Sequence, residues 1–387
     1  MPPFFFYRYG KQCVFYKKVV PLFENAKDLK QSMKRYILLL AALMLLLPAQ
    51  GNAKKKEKRH IIGFYNVENL FDVTHDQGKN DYEYLPDGAN EWTADKYAVK
   101  LKNIARVIDD IHKENGMWHT VLGLAEVENR HVLEDLVKEP AIANANYQIV
   151  HKEGPDRRGI DCALLYNPAR FKLVESASIP YDFNTKIPIT TYNKQEQEDF
   201  RTRDVLMVHG IIDGEHFAFY VCHFPSRRGD KGQDLRARAA EIVYAHVQKM
   251  QQKYPGIKCV VMGDMNDNPQ DASLSQYLHG CRKVADVKTG DFFNPFWDML
   301  ADGIGSLYYR GDPNIFDCIL VSDGLVKGKG FKIQKQKDSP YYGVVYSKPY
   351  MTQQSGQYKG LPFRTFSNGK FISGYSDHYP TFIELKK

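Results

Sequence analysis

The sequence predicts an α/β protein in which two mixed β-sheets pack on each other and carry helices outside. Three features lead there: short apolar runs that read as buried strands, long segments with a helical period, and a hairpin turn set among crossovers. His60 to Tyr65 is the first such strand. A polar loop containing Asn80, Asp81 and Asp87 follows, and a helix begins near Thr93 with Tyr97, Leu101, Ile104, Ile108 and Ile111 on one face. Thr120 to Leu124 reads as the next strand, Val132 to Val137 as part of a second helix, and Asp161 to Tyr166 as a third strand. Asp204 to Ile212 and His216 to Cys222 flank Asp213-Gly214, a strong two-residue hairpin signal. A long helix from about Asp234 to Lys253 leads into the strand Lys258 to Met262, and final strands run from about Phe316 to Val321 and Tyr379 to Glu384. Asp72 to Glu91, Pro180 to Asp199 and Leu325 to Gly374 read as loops, the last including Ser339 to Leu361, rich in Tyr, Gly, Ser and Gln.

Ahead of the first strand, Lys34 and Arg35 precede an apolar run from Tyr36 to Leu47 and the small residues Gly51-Asn52-Ala53. That pattern reads as a secretory signal peptide over 33–53, cleaved after Ala53, with an apolar core too short for a comfortable membrane span. No transmembrane anchor is expected after cleavage, and the destination is a bacterial periplasm or the extracellular medium. Residues 1–32 lie upstream of this signal and its own methionine, without helical or strand period, and read as an extension from a start codon assigned too early. Residues 54–387 then form a single domain, since no long linker divides them, and a monomer is expected.

Removing the leader changes the electrostatics. Residues 1–53 hold eight Lys or Arg and two Asp or Glu, so subtracting them from 53 and 46 leaves 45 basic and 44 acidic residues. A near-neutral chain argues against broad, non-specific binding of duplex nucleic acid. Five cysteines remain, an odd number, and Cys162, Cys222, Cys259 and Cys318 fall inside apolar strands, so buried free thiols are expected rather than a disulfide frame.

Polar residues recur where these strands end, which is where α/β proteins gather their sites. Asn66 ends the first strand, followed by Glu68 and Asn69, and Glu126, Glu128 and Asn129 follow the second. Taken alone, each is equally a turn or a helix cap. Val260 to Pro269 is more specific: Gly263 allows a tight exit, from which Asp264 and Asn266 emerge on one side. Ser376-Asp377-His378 again sets an acid beside an imidazole ahead of a strand.

The whole set, in order, resembles the endonuclease/exonuclease/phosphatase superfamily over about Arg59 to Leu385. Its motifs match Phe64-Tyr65-Asn66-Val67-Glu68-Asn69, Leu124-Ala125-Glu126, Cys222-His223, Gly263-Asp264-Met265-Asn266, Phe316 to Ser322 around Asp317, and Ser376-Asp377-His378. Each is weak singly; six in order are specific. The resemblance implies a four-layer α/β sandwich and a metal-dependent phosphoesterase. Glu126 and Asp377 would bind Mg²⁺, with Mn²⁺ a substitute, and Asn66 would be a neighbouring ligand or position the phosphate. Asp264 would accept the proton of the attacking water, and Asn266 would orient that water or the phosphate. His378, oriented by Asp317, would hydrogen-bond a phosphoryl oxygen, and His223 would stabilise or protonate the leaving oxygen.

Arg158 and Arg227, in Pro155 to Asp161 and Pro225 to Gly229, are candidate phosphate grips, with Arg203 a weaker third; exposed salt bridges are the ordinary alternative. Several relatives carry Asn where Cys222 stands, so an amide contact is lost there. Cys222 and His223 are not expected to act as a nucleophilic dyad, because neighbours on a strand face opposite ways. Two other functions stay open, a secreted nuclease acting on DNA or RNA and a binding protein that keeps the fold without turnover. No motif identifies the phosphoester substrate.

Overall fold

The computed structural model describes residues 30–36, 58–227 and 231–387. The chain divides into two units, Met1–Lys56 and Glu57–Lys387. Of the first, residues 30–36 are helical; otherwise the signal peptide read at 33–53 and the extension read at 1–32 lie outside the described residues. No described helix is long and apolar enough to cross a membrane.

In the second unit, β1 (Arg59–Leu70), β2 (Val121–Val127), β3 (Gln148–His151) and β4 (Asp161–Tyr166) belong to one sheet, with helices α1 (Ala94–Asn115) and α2 (Arg130–Lys138) in the connections. Strand alternation decides which side each residue serves. Ile61 and Tyr65 pack with Tyr97, Leu101, Ile104 and Ile108 of α1, whereas Ile62 and Phe64 join the core shared with the other sheet. Gly116 ends α1 in the left-handed region at φ 68°, where glycine carries no Cβ penalty.

The second sheet begins with β5 (Lys172–Ile179), β6 (Val205–Ile212), β7 (Glu215–His223) and β8 (Lys258–Asp264), with α3 (Lys194–Asp199) and α4 (Gln233–Lys253) between them. The β6–β7 hairpin turns at Asp213 and Gly214, whose φ values of 47° and 85° fit a primed two-residue turn. The Tyr220 hydroxyl on β7 meets His246 Nδ1 on α4 at 3.0 Å, seating that helix on the outer face. The chain continues through β9 (Gly280–Cys281), β10 (Phe292–Phe293), α5 (Trp297–Ala301), the hairpin β11 (Leu307–Tyr309) and β12 (Asp312–Asn314), and β13 (Asp317–Ser322). It closes with β14 (Lys332–Ile333), β15 (Gly343–Val345), the hairpin β16 (Phe366–Ser367) and β17 (Lys370–Phe371), and β18 (Thr381–Lys386).

Two seven-stranded sheets result: β14-β18-β1-β2-β4-β3, with β15 also on β18, and β5-β6-β7-β8-β13-β10-β9. Helix, sheet, sheet and helix make the four layers that the resemblance implies. The described cysteines are free, and Cys162, Cys222, Cys259 and Cys318 are buried.

Some elements differ from the sequence reading. β3 and β5 are absent from it because Gln148–His151 is short and Lys172–Ile179 is a half-exposed edge strand without an apolar run. The stretch read as a loop from Leu325 to Gly374 contains β14 to β17, whose pairing is supplied by β18 or by a hairpin partner rather than by local pattern. α3, inside Pro180 to Asp199, is opened by a capping box between Asn193 and Glu196. β18 begins after Pro380, two residues later than expected, where no proline interrupts the ladder.

Gly263 also serves a different purpose from the expected exit turn. It lies within β8, and a Cβ there would come 2.1 Å from the Cys222 carbonyl oxygen of β7. Gly263→Ala is therefore expected to destabilise the protein by about 2–3 kcal/mol through forced strand separation, read as a lower denaturation midpoint; an unchanged midpoint would show that β7 and β8 can part freely.

Candidate active site

Three adjacent strands set the first row of the site. In the β7–β8–β13 ladder His223 pairs with Asp264, and Asp264 pairs with Asp317. Residues on one rung face the same way, so these three side chains, all buried, form a row at the strand ends.

The first sheet supplies the opposite wall by breaking its own regularity. β1 and β2 pair through Asn66 and Ala125, then shift register before Leu70 and Val127, and β2 and β4 shift between Ala125 and Val127. Glu68, Asn69 and Glu126 take φ of 50°, 52° and 63° in these bulges. Left-handed geometry at a residue with a Cβ costs on the order of 1–3 kcal/mol, and such strain concentrates at functional sites.

Hydrogen bonds then join the walls. Asn66 Nδ2 donates to Asp264 Oδ2 at 3.0 Å and to Glu126 Oε1 at 3.3 Å, while the Asn69 amide donates to Glu126 Oε2 at 3.0 Å. His223 Nε2 lies 3.8 Å from Glu126 and 3.6 Å from Asp264. Ser376 Oγ donates to the Asn66 carbonyl at 2.7 Å and accepts from the His378 amide at 3.0 Å, which brings the segment before β18 into place. His378 Nδ1 meets Asp317 Oδ2 at 2.7 Å, and its Nε2 stands 3.9 Å from Asp264 Oδ2. The Asn266 amide donates to Asp264 Oδ1 at 2.9 Å, and its side-chain Nδ2 donates to the Phe224 carbonyl at 3.0 Å. The turn out of β8 is taken by Asn266 itself, at φ 49°. Asn66, Glu126, His223, Asp264, Asn266, Asp317 and His378 thus meet at one centre.

Burial sets the protonation states. It pushes the Asp264 carboxyl up to about 6, with Asp317 and Glu126 adding to the rise and His378 opposing it. His223 is held well below its ordinary value by burial and by Arg203, Arg158 and His378, so its imidazole is neutral. Burial alone would lower His378 too, but Asp317, Asp264 and Asp377 raise it well above the ordinary value, giving an imidazolium. Cys222 is buried in the core and its thiol is pushed far up, leaving no thiolate to act as a nucleophile.

The donors fit a divalent cation. Glu126, His223 and Asp264 offer ligand atoms within 4.8 Å of one another, as do Asp264, Asp317 and His378. Asp317 Oδ1 is buried without a hydrogen-bond partner. Two converging carboxylates and an amide suit a hard, oxygen-seeking ion.

Not every expected residue joins this centre. Asp377 sits at its edge: one oxygen pairs with Arg364 at 3.1 Å, the other lies 3.9 Å from His378 Nε2. Arg158 and Arg203 line a cavity of about 680 Å³ together with Glu126, His223, Asp264, Asn266 and His378. Arg158 donates to Asn69 Oδ1 at 3.3 Å, and Arg203 to Asp156 at 3.3 Å and to the Phe224 carbonyl at 2.8 Å. Arg227 is the correction. It is engaged by the Asn266 carbonyl at 2.8 Å, by Asp267 at 3.0 Å and by Asp271, and it borders a separate cavity of about 230 Å³. Its guanidinium braces the Asn266 turn instead of facing the carboxylates.

The cavity also exposes Arg157, from the same arginine segment as Arg158, and Thr191, Tyr192 and Lys231, which no motif marked. A second omission is the buried cluster behind Asp377. Lys100 Nζ donates to Thr365 Oγ1 at 2.5 Å and to the Tyr375 carbonyl at 2.9 Å and lies 3.9 Å from Glu68, which pairs with Arg364 at 3.0 Å. Burial pushes Lys100 down to about 8 against the pull of Glu68. A signal was present, since a lysine on the apolar face of α1 beside Tyr97, Leu101 and Ile104 has no hydrophobic reason to be there. Lys100→Met is expected to cost about 3–5 kcal/mol by leaving the buried Glu68 short of a cation, measured by urea unfolding; a loss below about 1 kcal/mol would show that Arg364 alone suffices.

The model of the Endonuclease/Exonuclease/phosphatase family matches residues 61–387. An endonuclease/exonuclease/phosphatase family protein from Bacteroides thetaiotaomicron is similar in structure, at 13% identity and a TM-score of 0.51, over 86% of this chain and 98% of that one. A mannosyl-6-phosphatase from Bacteroides thetaiotaomicron is similar at 14% identity and a TM-score of 0.50, over 84% and 99%. No curated protein matches the chain.

Proposed function

Because the chain belongs to the endonuclease/exonuclease/phosphatase family, we propose that it is an exported phosphoesterase that uses Mg²⁺, with Mn²⁺ able to replace it. The observation that supports this most directly is the meeting of seven polar side chains from both sheets beside an arginine-bearing cavity.

A divalent cation at Glu126, with Asn66 and Asp264 adjoining, would neutralise charge on the phosphoryl oxygens. Asp377, whose Oδ2 pairs with Arg364, has Oδ1 left to approach such a site from its edge. Asp264 accepts the proton of the attacking water, its carboxylate held by Asn66 Nδ2 on one oxygen and the Asn266 amide on the other. The Asn266 side chain gives its Nδ2 to Phe224, so Oδ1 is the atom that orients water. His378, fixed by Asp317, donates from Nε2 to a phosphoryl oxygen as negative charge develops there. His223, beside Glu126 and Asp264, stabilises or protonates the leaving oxygen. Arg158 and Arg203 grip the phosphate from the cavity wall.

Residues 54–387, supplied with Mg²⁺ or Mn²⁺, are expected to hydrolyse at least one member of a panel of nucleic acids, nucleotides, phospholipids, inositol phosphates and sugar phosphates. Asp264→Asn and His378→Ala should each lower kcat by about 10²–10⁴-fold while circular dichroism stays unchanged. Absence of any metal-dependent turnover across the panel would leave the non-catalytic binding reading in its place, and turnover confined to DNA or RNA would favour the nuclease. Export carries its own check: the N-terminus of protein recovered outside the cytoplasm should be Lys54, and retention of residues 33–53 in the recovered protein would refute cleavage there.

A further inference from the structure

A second group of ligand atoms lies away from the proposed chemistry. His151 ends β3, Asp161 opens β4, and Glu153 follows His151 by two residues; one ligand atom from each lies within 4.8 Å of the other two. The His151 and Asp161 side chains are 3% exposed. His151 Nε2 and Asp161 Oδ2 are both buried without a hydrogen-bond partner, although they stand 3.4 Å apart. That separation exceeds the usual N–H···O range of about 2.7–3.2 Å. It matches the edge of a tetrahedron with bonds of about 2.0–2.1 Å, which is roughly 3.3 Å. Glu153 is 58% exposed and rests with Oε1 3.7 Å from His151 Nδ1, so its side chain must swing round the imidazole edge to join Asp161 at Nε2.

We propose that His151, Glu153 and Asp161 form a structural Zn²⁺ site, completed by a water. One imidazole with two carboxylates is a zinc-like set, whereas Mg²⁺ and Ca²⁺ favour oxygen ligands alone. The two buried atoms are the informative part: His151 Nε2 and Asp161 Oδ2 stand 3.4 Å apart, and neither has another hydrogen-bond partner.

The position gives the ion a task. His151 and Asp161 flank the segment from 152 to 160, which includes Glu153 and carries Arg157 and Arg158 into the cavity. Lys79 already holds this segment from within, donating to the carbonyls of Gly154 at 2.8 Å and Asp156 at 3.3 Å. Zinc would fasten the base of the same loop, independently of whether the phosphoesterase reading is right.

Zn²⁺ binding to chelator-stripped protein, measured by calorimetry and by metal analysis after dialysis, tests the site. The Glu126→Gln variant, in which the cation centre described above is impaired, is expected to retain one tightly bound Zn²⁺; adding His151→Gln should abolish it, and adding Glu153→Gln should weaken it at least tenfold. Zn²⁺ should also slow tryptic cleavage after Arg157 or Arg158, and Glu153→Gln should remove that protection. Because Glu153 is largely solvent-facing, its variant decides the matter even if His151→Gln fails to fold. Unchanged zinc stoichiometry and affinity in Glu153→Gln, with protection intact, would overturn the proposal.

Discussion

The site depends on strand register. His223, Asp264 and Asp317 share a rung across β7, β8 and β13, and a slip of one residue in any of these strands would turn a member of the row toward the opposite face. Gly263 helps to hold that register, because the close approach of the Cys222 carbonyl leaves room for hydrogen alone. The row is thus as rigid as the core strands that carry it, and three buried ionisable groups keep their places beside the cavity.

Against this regular wall stands an irregular one. Glu126 reaches the centre only because β2 bulges, and Glu68 and Asn69 occupy the neighbouring bulge of β1. Asn66 links both, with one amide group bonded to carboxylates from the two sheets. Such a junction rewards the two sheets for packing at one distance and punishes displacement, since parting them would strand an amide and two carboxylates. At the flank, Glu68, Arg364, Asp377 and Lys100 form a charge chain from the surface to the buried face of α1. Alternation of sign along it keeps a lysine and a glutamate tolerable in the interior.

The two-sheet architecture and the central strands were legible because buried strands announce themselves as apolar runs, and the polar residues that end them stand out against that background. Asn66, Glu126, His223, Asp264, Asn266, Asp317 and His378 were readable on this basis, and they do converge. Pairing supplied by a distant partner was not readable: β14 and β15 exist because β18 is beside them, and their own residues carry no strand period. Arg158 and Arg203 line the cavity, and Arg227 lies off it for a related reason. Arg158 and Arg227 occur in similar local contexts, yet only the fold reveals that Asp267 and Asp271 wait beside one and the neutral Asn69 beside the other. Lys100 could have been found, as the one charged residue breaking an otherwise apolar stripe.

β18 has a consequence for the timing of synthesis. It lies inside the first sheet, between β1 on one side and β14 and β15 on the other, and the imidazole of His378 immediately precedes it. A ribosome therefore delivers this interior strand after almost every other described residue has emerged. Until then the neighbouring edges have no mate and the centre lacks its imidazolium. Closure of the first sheet and completion of the candidate site are therefore one late event, both waiting on β18.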